Sequence, residues 1–452
     1  MEGITMKKTI SCIMILAAAM AFVGCSNDDE MEVKQQGQLV FTATIDNEGV
    51  TRTAIENGTK VVWETGDEIS VNGVIFTATS GGSASAEFTK KDDAVADPVA
   101  PYTVYYPASI YDASNSTATL PHGPMYNGEN NIAINPMYAT SSDTKLKFKN
   151  ICGLLQITLK GTETIKSLTL LASNVGMAGP FTVNANNEAV LNGASAGTEK
   201  RAVLINCGAS GESLTSEGKK FYVALPVGTY KDLSIWVKTK TDSDNNTKTW
   251  KVIAKKDAVI ERNKIYPMSF TPDFQAEQEP KALDLGLSVL WADCNVGAAE
   301  PCDFGNWYAW GELTDKYYYA EDNYQYQTNK ITTNLTSDKD VAAQKWGNGW
   351  RMPTLSEASE LDKATTKQII FKNGMYVYEL SFSNGEKIYF PIVKHFSTAV
   401  LMGNNGDNEY WTSTYWSSYY GSYAFSIGSS IYTFGQGHSW GYPIRPVKDM
   451  PK

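Results

Sequence analysis

Gly193-Ala194-Ser195-Ala196-Gly197 has the G-x-S-x-G spacing of a nucleophile elbow, where a serine hydroxyl on a strand-to-helix turn attacks a carbonyl. That chemistry needs a base, and the three histidines (His122, His395, His438) are far apart in sequence. The motif also sits among small residues in a β-rich stretch, so it reads as a loop. Asp407, Asn408 and Glu409 offer oxygen ligands for a hard cation, yet the same residues make a good turn ahead of Tyr410. Glu312 and Glu357 are the nominal carboxylates for glycan hydrolysis, which needs two of them facing each other across a cleft. Both lie in motifs with structural explanations. The chain is therefore read as a non-enzyme, with no catalytic residue, no metal site and no cofactor.

Cysteine chemistry gives a sharper signal. Lys7 and Lys8 precede an apolar run, Ile13 to Val23, too short to span a bilayer and suited to a signal-peptide core. The run ends in Phe22-Val23-Gly24-Cys25, which resembles a bacterial lipobox with Phe22 where leucine is preferred. Residues 1–24 are then a lipoprotein signal peptide and Cys25 the lipidated, palmitate-bearing first residue. The alternative is an ordinary secretory peptide in which Cys25 is incidental. Residues 25–37 form an acidic tether; Ser26-Asn27-Asp28-Asp29-Glu30 resembles a surface-export signal, the alternative being a solvated tether facing the periplasm. Export would place Cys152, Cys207, Cys294 and Cys302 in an oxidising compartment. Cys294 and Cys302 are close enough in sequence to close a short disulfide loop, whereas Cys152 and Cys207 would have to meet through tertiary structure.

Stacking is the third chemistry. Residues 281–452 hold 8 of the 11 Trp and 16 of the 25 Tyr. Trp416, Tyr419, Tyr420, Tyr423, Trp440 and Tyr442 stand among Ser and Gly, where indole and phenol rings either stack on sugar faces or anchor a protein partner, or else form core and loop scaffolding. Nucleic acid is excluded as a partner, because 39 basic against 49 acidic residues give a net charge of −10 and no concentrated basic footprint.

The elements that must position these residues differ between the two halves of the 452-residue chain. Residues 38–271 alternate apolar and polar side chains in short runs such as Leu39 to Ile45, Glu68 to Val71, Leu154 to Leu159 and Phe221 to Leu225, separated by Gly-, Asn- and Asp-rich turns. That pattern predicts a β-sandwich class. Residues 272–282, polar and bracketed by Pro272 and Pro280, read as a linker. Residues 283–448 add two helix signals: Ser337 to Asp340 ahead of a run closed by Gly347, and the Thr354-Leu355-Ser356-Glu357 capping box. Helices amid alternating strands predict an α+β domain. Arg351 and Arg445 are expected in structural ion pairs or stacks.

Two resemblances attach to these residues. Thr51-Arg52-Thr53, Val62-Trp63-Glu64-Thr65-Gly66-Asp67-Glu68-Ile69 and Phe221-Tyr222-Val223-Ala224-Leu225-Pro226, together with the lipobox, resemble the fimbrillin family of type V pilins. The resemblance implies two consecutive transthyretin-like β-sandwich lobes over residues 38–271, dividing near 140–150, and, in true pilins, strand exchange after proteolysis beyond an N-terminal strand. Arg52 is then either that protease site or a surface turn residue of an uncut protein. Residues 283–447 resemble the FISUMP, or major paralogous, domain through Leu285 to Ala292, Asn295 to Ala298, Tyr308 to Glu312, Gly349 to Thr354, Tyr410 to Thr414 and Pro443 to Val447. That resemblance implies a C-type-lectin-like fold, although the calcium-site patterns of sugar-binding lectins are missing. Together they lead to the expectation of a mainly β, lipid-anchored outer-membrane protein on the cell surface or in a fimbrium. It would act as a pilus tip or accessory adhesin binding other fimbrillin subunits by strand exchange and a host glycan or protein. The alternative is a free-standing outer-membrane lipoprotein that binds a glycan or protein and is not assembled into pili.

Overall fold

The period-2 pattern at the start of the chain becomes the strand Val40–Ile45, with Phe41, Ala43 and Ile45 buried and Thr42 and Thr44 exposed. In the computed structural model the described residues are 38–45, 62–121, 126, 135–192, 202–244, 246–316, 318–392, 396–397, 400–401, 408–417 and 421–451. The signal peptide and tether, Cys25, Arg52, the Gly193–Gly197 loop, Asp407, Tyr419 and Tyr420 lie outside them.

The chain is mainly β. Its first lobe is a seven-stranded sheet closed on itself, in the order 40–45, 85–90, 74–78, 68–71, 102–106, 137–141, 145–150. Closure comes from Val40–Ile45, antiparallel to Ser85–Lys90 on one side and parallel to Lys145–Asn150 on the other. Trp63 fills the interior, packing edge-on against Phe88, Tyr106 and Phe148 at 5.0, 5.1 and 5.3 Å. Its Nε1 donates to the Ala43 carbonyl at 3.2 Å, tying the closing strand to the core. The hairpin between Glu68–Val71 and Val74–Ala78 turns on Asn72 and Gly73, both at positive φ (48° and 90°), the backbone that an Asn-Gly turn adopts with least strain.

A second lobe begins at Gly153. Gly153–Leu159 pairs antiparallel with Lys219–Leu225 and parallel with Ile265–Phe270. A second sheet runs 203–206, 164–171, 234–239, 248–253, 275–276. Here the alternation is hidden in the sequence because both faces of the sheet are covered: all six residues of Ser234–Thr239 are buried. Ile235 and Val237 join Leu168, Leu170, Leu155 and Ile157 inside the sandwich. Leu171, Leu204 and Trp236 point the other way and share a core with Phe304, Trp307, Met375 and Tyr376 from the C-terminal half.

The C-terminal half brings its two ends together in one sheet, in the order 282–283, 289–292, 447–449, 350–351. Two three-stranded antiparallel sheets follow, 366–372/375–381/387–391 and 408–416/421–427/431–437. Both helix signals are realised as short helices. Val341–Trp346 is capped by Asp340, which accepts from the Ala342 and Ala343 amides at 2.9 and 3.2 Å, and Gly347 closes it at φ 57°. Leu355–Glu360 carries the full Thr354/Glu357 capping box.

The polar 272–282 stretch is stitched to both sides. Gln275–Ala276 pairs with Lys248–Thr249 of the sandwich. Glu277 accepts from the Gly297 amide, Lys345 Nζ and Trp346 Nε1 at 2.9, 2.7 and 3.0 Å. The contact between the halves is also polar at depth. Lys238, buried on the sandwich, donates to the carbonyls of Gly297 (3.0 Å) and Gly305, and Trp236 Nε1 donates to the Gly374 carbonyl at 2.9 Å.

Candidate functional site

The aromatic series from Tyr410 to Tyr442 lies mostly on the sheet of strands Asn408–Trp416, Gly421–Ile427 and Ile431–Gly437. In the register, Trp416 faces Gly421, Gly421 faces Gly437 and Tyr423 faces Gly435. The Trp416 indole occupies the space that a Cβ on Gly435 would take, so glycine there lets the ring lie against the backbone. Tyr423 stands 6.2 Å from it at a 48° tilt. Trp416 and Tyr423 are half-buried, and each retains surface for a ligand. Trp440, also half-buried, packs along Gly437.

Tyr442 corrects the expectation of a ligand contact: it is fully buried, edge-on to Trp411 at 4.6 Å, and its amide donates to the Tyr308 carbonyl at 3.1 Å. Trp310, Trp411 and Tyr308 build the same core. Their indole N–H groups find carbonyls across the domain, Trp310 to Thr412 and Trp411 to Tyr308, each at 2.8 Å. His438 stacks on Trp310 at 4.4 Å, and burial pushes its pKa down to about 4, so the ring is neutral at pH 7.

The remaining reactive candidates are held in structural contacts. All four described cysteines are buried free thiols, so no bridge joins Cys294 to Cys302 in this structure. Burial raises both thiols, Cys302 to about 11, which keeps them protonated and unreactive. Glu312 is buried and held by Lys316 at 2.6 Å and by the Gln325 amide at 2.6 Å. Glu357 is held bidentate by Arg351 at 2.9 and 2.7 Å. Burial alone would raise the Glu357 carboxyl, but the Arg351 guanidinium and the Thr354 amide outweigh it and lower its pKa. Arg445 is fully buried, and among the described residues no ion pair forms on it. It donates to Asn295 Oδ1 at 2.7 Å and to the carbonyls of Ala292, Asp293 and Tyr389 at 3.3, 3.2 and 2.9 Å, and it stacks over Phe390 at 4.6 Å.

No family model matches the chain, and no curated protein matches it. Among solved structures it is similar to a Bacteroides ovatus protein provisionally described as a cell adhesion protein, at 11% identity and TM-score 0.33, over 53% of this chain and 96% of that one. A fimbrial protein from Bacteroides ovatus aligns over 91% of this chain and 98% of its own, at 11% identity and TM-score 0.21. The tip fimbrial protein Mfa3 from Porphyromonas gingivalis aligns over 52% of this chain and 96% of its own, at 12% identity and TM-score 0.22. These are distant likenesses, and the functional reading rests on the geometry of the chain itself.

Proposed function

We propose that this chain is a fimbrillin-like surface protein, exported as a lipoprotein, that serves as a pilus tip or accessory adhesin and presents its aromatic, lectin-like C-terminal half to a glycan or protein ligand. The observation that carries the reading is the difference between its two ends. At one end, a single strand, Val40–Ile45, closes the first lobe and precedes Arg52 in the chain. Proteolysis at Arg52 would free that strand and open a groove flanked by Ser85–Lys90 and Lys145–Asn150 for a donor strand of another subunit. At the other end, the last sandwich strands run through Gln275–Ala276 into a docked C-terminal half, so no loose strand is left there to donate. A subunit that accepts but does not donate terminates a fibre. Trp416, Tyr423 and Trp440, with the exposed Tyr432 on the same three-stranded region, are aromatics that reach the surface for ligand contact.

The closed first lobe favours a second reading, since its sheet is complete with its own strand and needs no partner. In that reading the protein is a free-standing outer-membrane lipoprotein. Mass spectrometry of the native N-terminus separates the two: a chain beginning at Thr53 with copurifying pilins supports the tip subunit, and an acylated chain beginning at Cys25 without them supports the free-standing form. Polymerisation of the purified protein into long shafts through both ends would remove the tip reading. Ligand contact is tested on glycan and host-protein arrays, where Trp416→Ala with Trp440→Ala should abolish the signal.

A further inference from the structure

Apart from the aromatic sheet, one cleft of about 290 Å³ opens where three segments meet: the sandwich hairpin at Asn246, the 277–280 stretch and the loop that follows the helix Val341–Trp346. Its size lies near the lower end of the ~300–1,000 Å³ of small-molecule sites, which gather at contacts between domains. Trp346 lines it, half-buried, with Trp350 edge-on behind at 5.9 Å. The Trp346 indole is already fixed by its Nε1 bond to Glu277, so stacking on it would cost little rotamer entropy.

Around that ring stand short polar groups. Gly347, Asn348 and Gly349 all have positive φ (57°, 48° and 82°), and the Trp350 amide donates to the Gly347 carbonyl at 2.8 Å, so the exposed Asn348 carboxamide sits on a set turn. Glu279 and Asn246 are exposed at the rim. Charge selects the ligand class. The lysine of the cleft, Lys345, is nine-tenths buried and paired with Glu277 at 2.7 Å, which leaves the Glu279 carboxylate as the net charge. An anionic ligand would meet the Glu279 carboxylate with no unpaired cation among the described lining residues; Lys448, outside that lining, lies over the Trp350 ring at 5.9 Å. A ligand of hydroxyl groups over an apolar ring face would find acceptors, an amide and an indole together.

We infer that this cleft is a second ligand site, distinct from the Trp416 sheet, and that it takes one neutral pyranose ring stacked on Trp346 and hydrogen-bonded by Asn348 and Glu279. It holds whether or not the chain joins a pilus. Because the site is built from both halves, bound sugar would also brace their contact.

The test is saturation-transfer NMR on the full-length protein with the methyl glycosides of galactose, mannose, N-acetylglucosamine and N-acetylneuraminic acid. Measured in a background carrying Trp416→Ala and Trp440→Ala, which silences the aromatic sheet, a neutral glycoside should give a signal at least tenfold weaker in the double variant Asn348→Ala with Glu279→Ala. Trp346→Ala should also lose it, with near-UV circular dichroism checking that the domain remains folded. No signal from any neutral glycoside, a preference for the N-acetylneuraminic acid glycoside, or a signal that survives the double variant would each overturn the assignment.

Discussion

Lys238 of the sandwich and Asp303 of the C-terminal half face each other at 3.5 Å with side chains 2% and 0% exposed, so the two halves meet on a buried charge pair. The aspartate is held further by Thr249 Oγ1 at 2.9 Å and the Ala299 amide at 2.9 Å. Burial lowers the lysine pKa, and the Asp303 carboxylate partly opposes that shift. A charge buried this deeply is tolerated only while its partner remains.

Asp303→Ala should therefore destabilise the protein by about 3–5 kcal/mol, because it strands the Lys238 ammonium. Lys238→Met should cost less, since Asp303 keeps its hydroxyl and amide donors. Urea unfolding followed by tryptophan emission checks the order of the two variants. Equal, small effects would show that the pair does not couple the halves.

His438 should give stability a pH dependence of definite sign. Its folded pKa, near 4, lies below its ordinary value of 6.5, so the unfolded chain binds the extra proton within that window. Stability is full above pH 6.5 and falls by about 3 kcal/mol as pH drops toward 4. His438→Phe, which keeps a ring against Trp310, should remove this contribution. Parallel curves for wild type and variant from pH 7 to 4 would contradict it.

Gly435→Ala should displace Trp416, because the added Cβ would collide with the indole. The expected readout is a red shift of tryptophan emission with the far-UV spectrum retained. If ligand contact runs through Trp416, array binding should fall with it; an unshifted spectrum would mean that the ring is not seated on this glycine.

Arg445→Lys keeps the charge and should still cost at least about 2 kcal/mol in thermal unfolding, because an ammonium cannot reach Asn295 and three carbonyls while stacking on Phe390. A variant as stable as wild type would show that charge alone satisfies the site.

Much of the fold was legible where one rule of local chemistry acted alone. Val40–Ile45 alternates because one of its faces meets a core, and Asp340 and Thr354 cap helices because their side chains reach unsatisfied amides. Ser234–Thr239 was less legible, since a strand covered on both faces loses its alternation. The candidate site was legible only as a composition. Trp416 and Tyr442 look alike in a Ser- and Gly-rich run, yet Trp416 is half-buried on the sheet and Tyr442 is sealed against Trp411.

The sequence by itself determined strand and cap positions and the concentration of aromatics in the C-terminal half, because these follow from residues within a few positions of each other. Tertiary structure alone decided which rings reach solvent, that the polar 272–282 stretch ties two bodies together, and that Lys238 spends its charge on the other half. Those outcomes depend on contacts between segments far apart in the chain, and no local periodicity encodes such contacts.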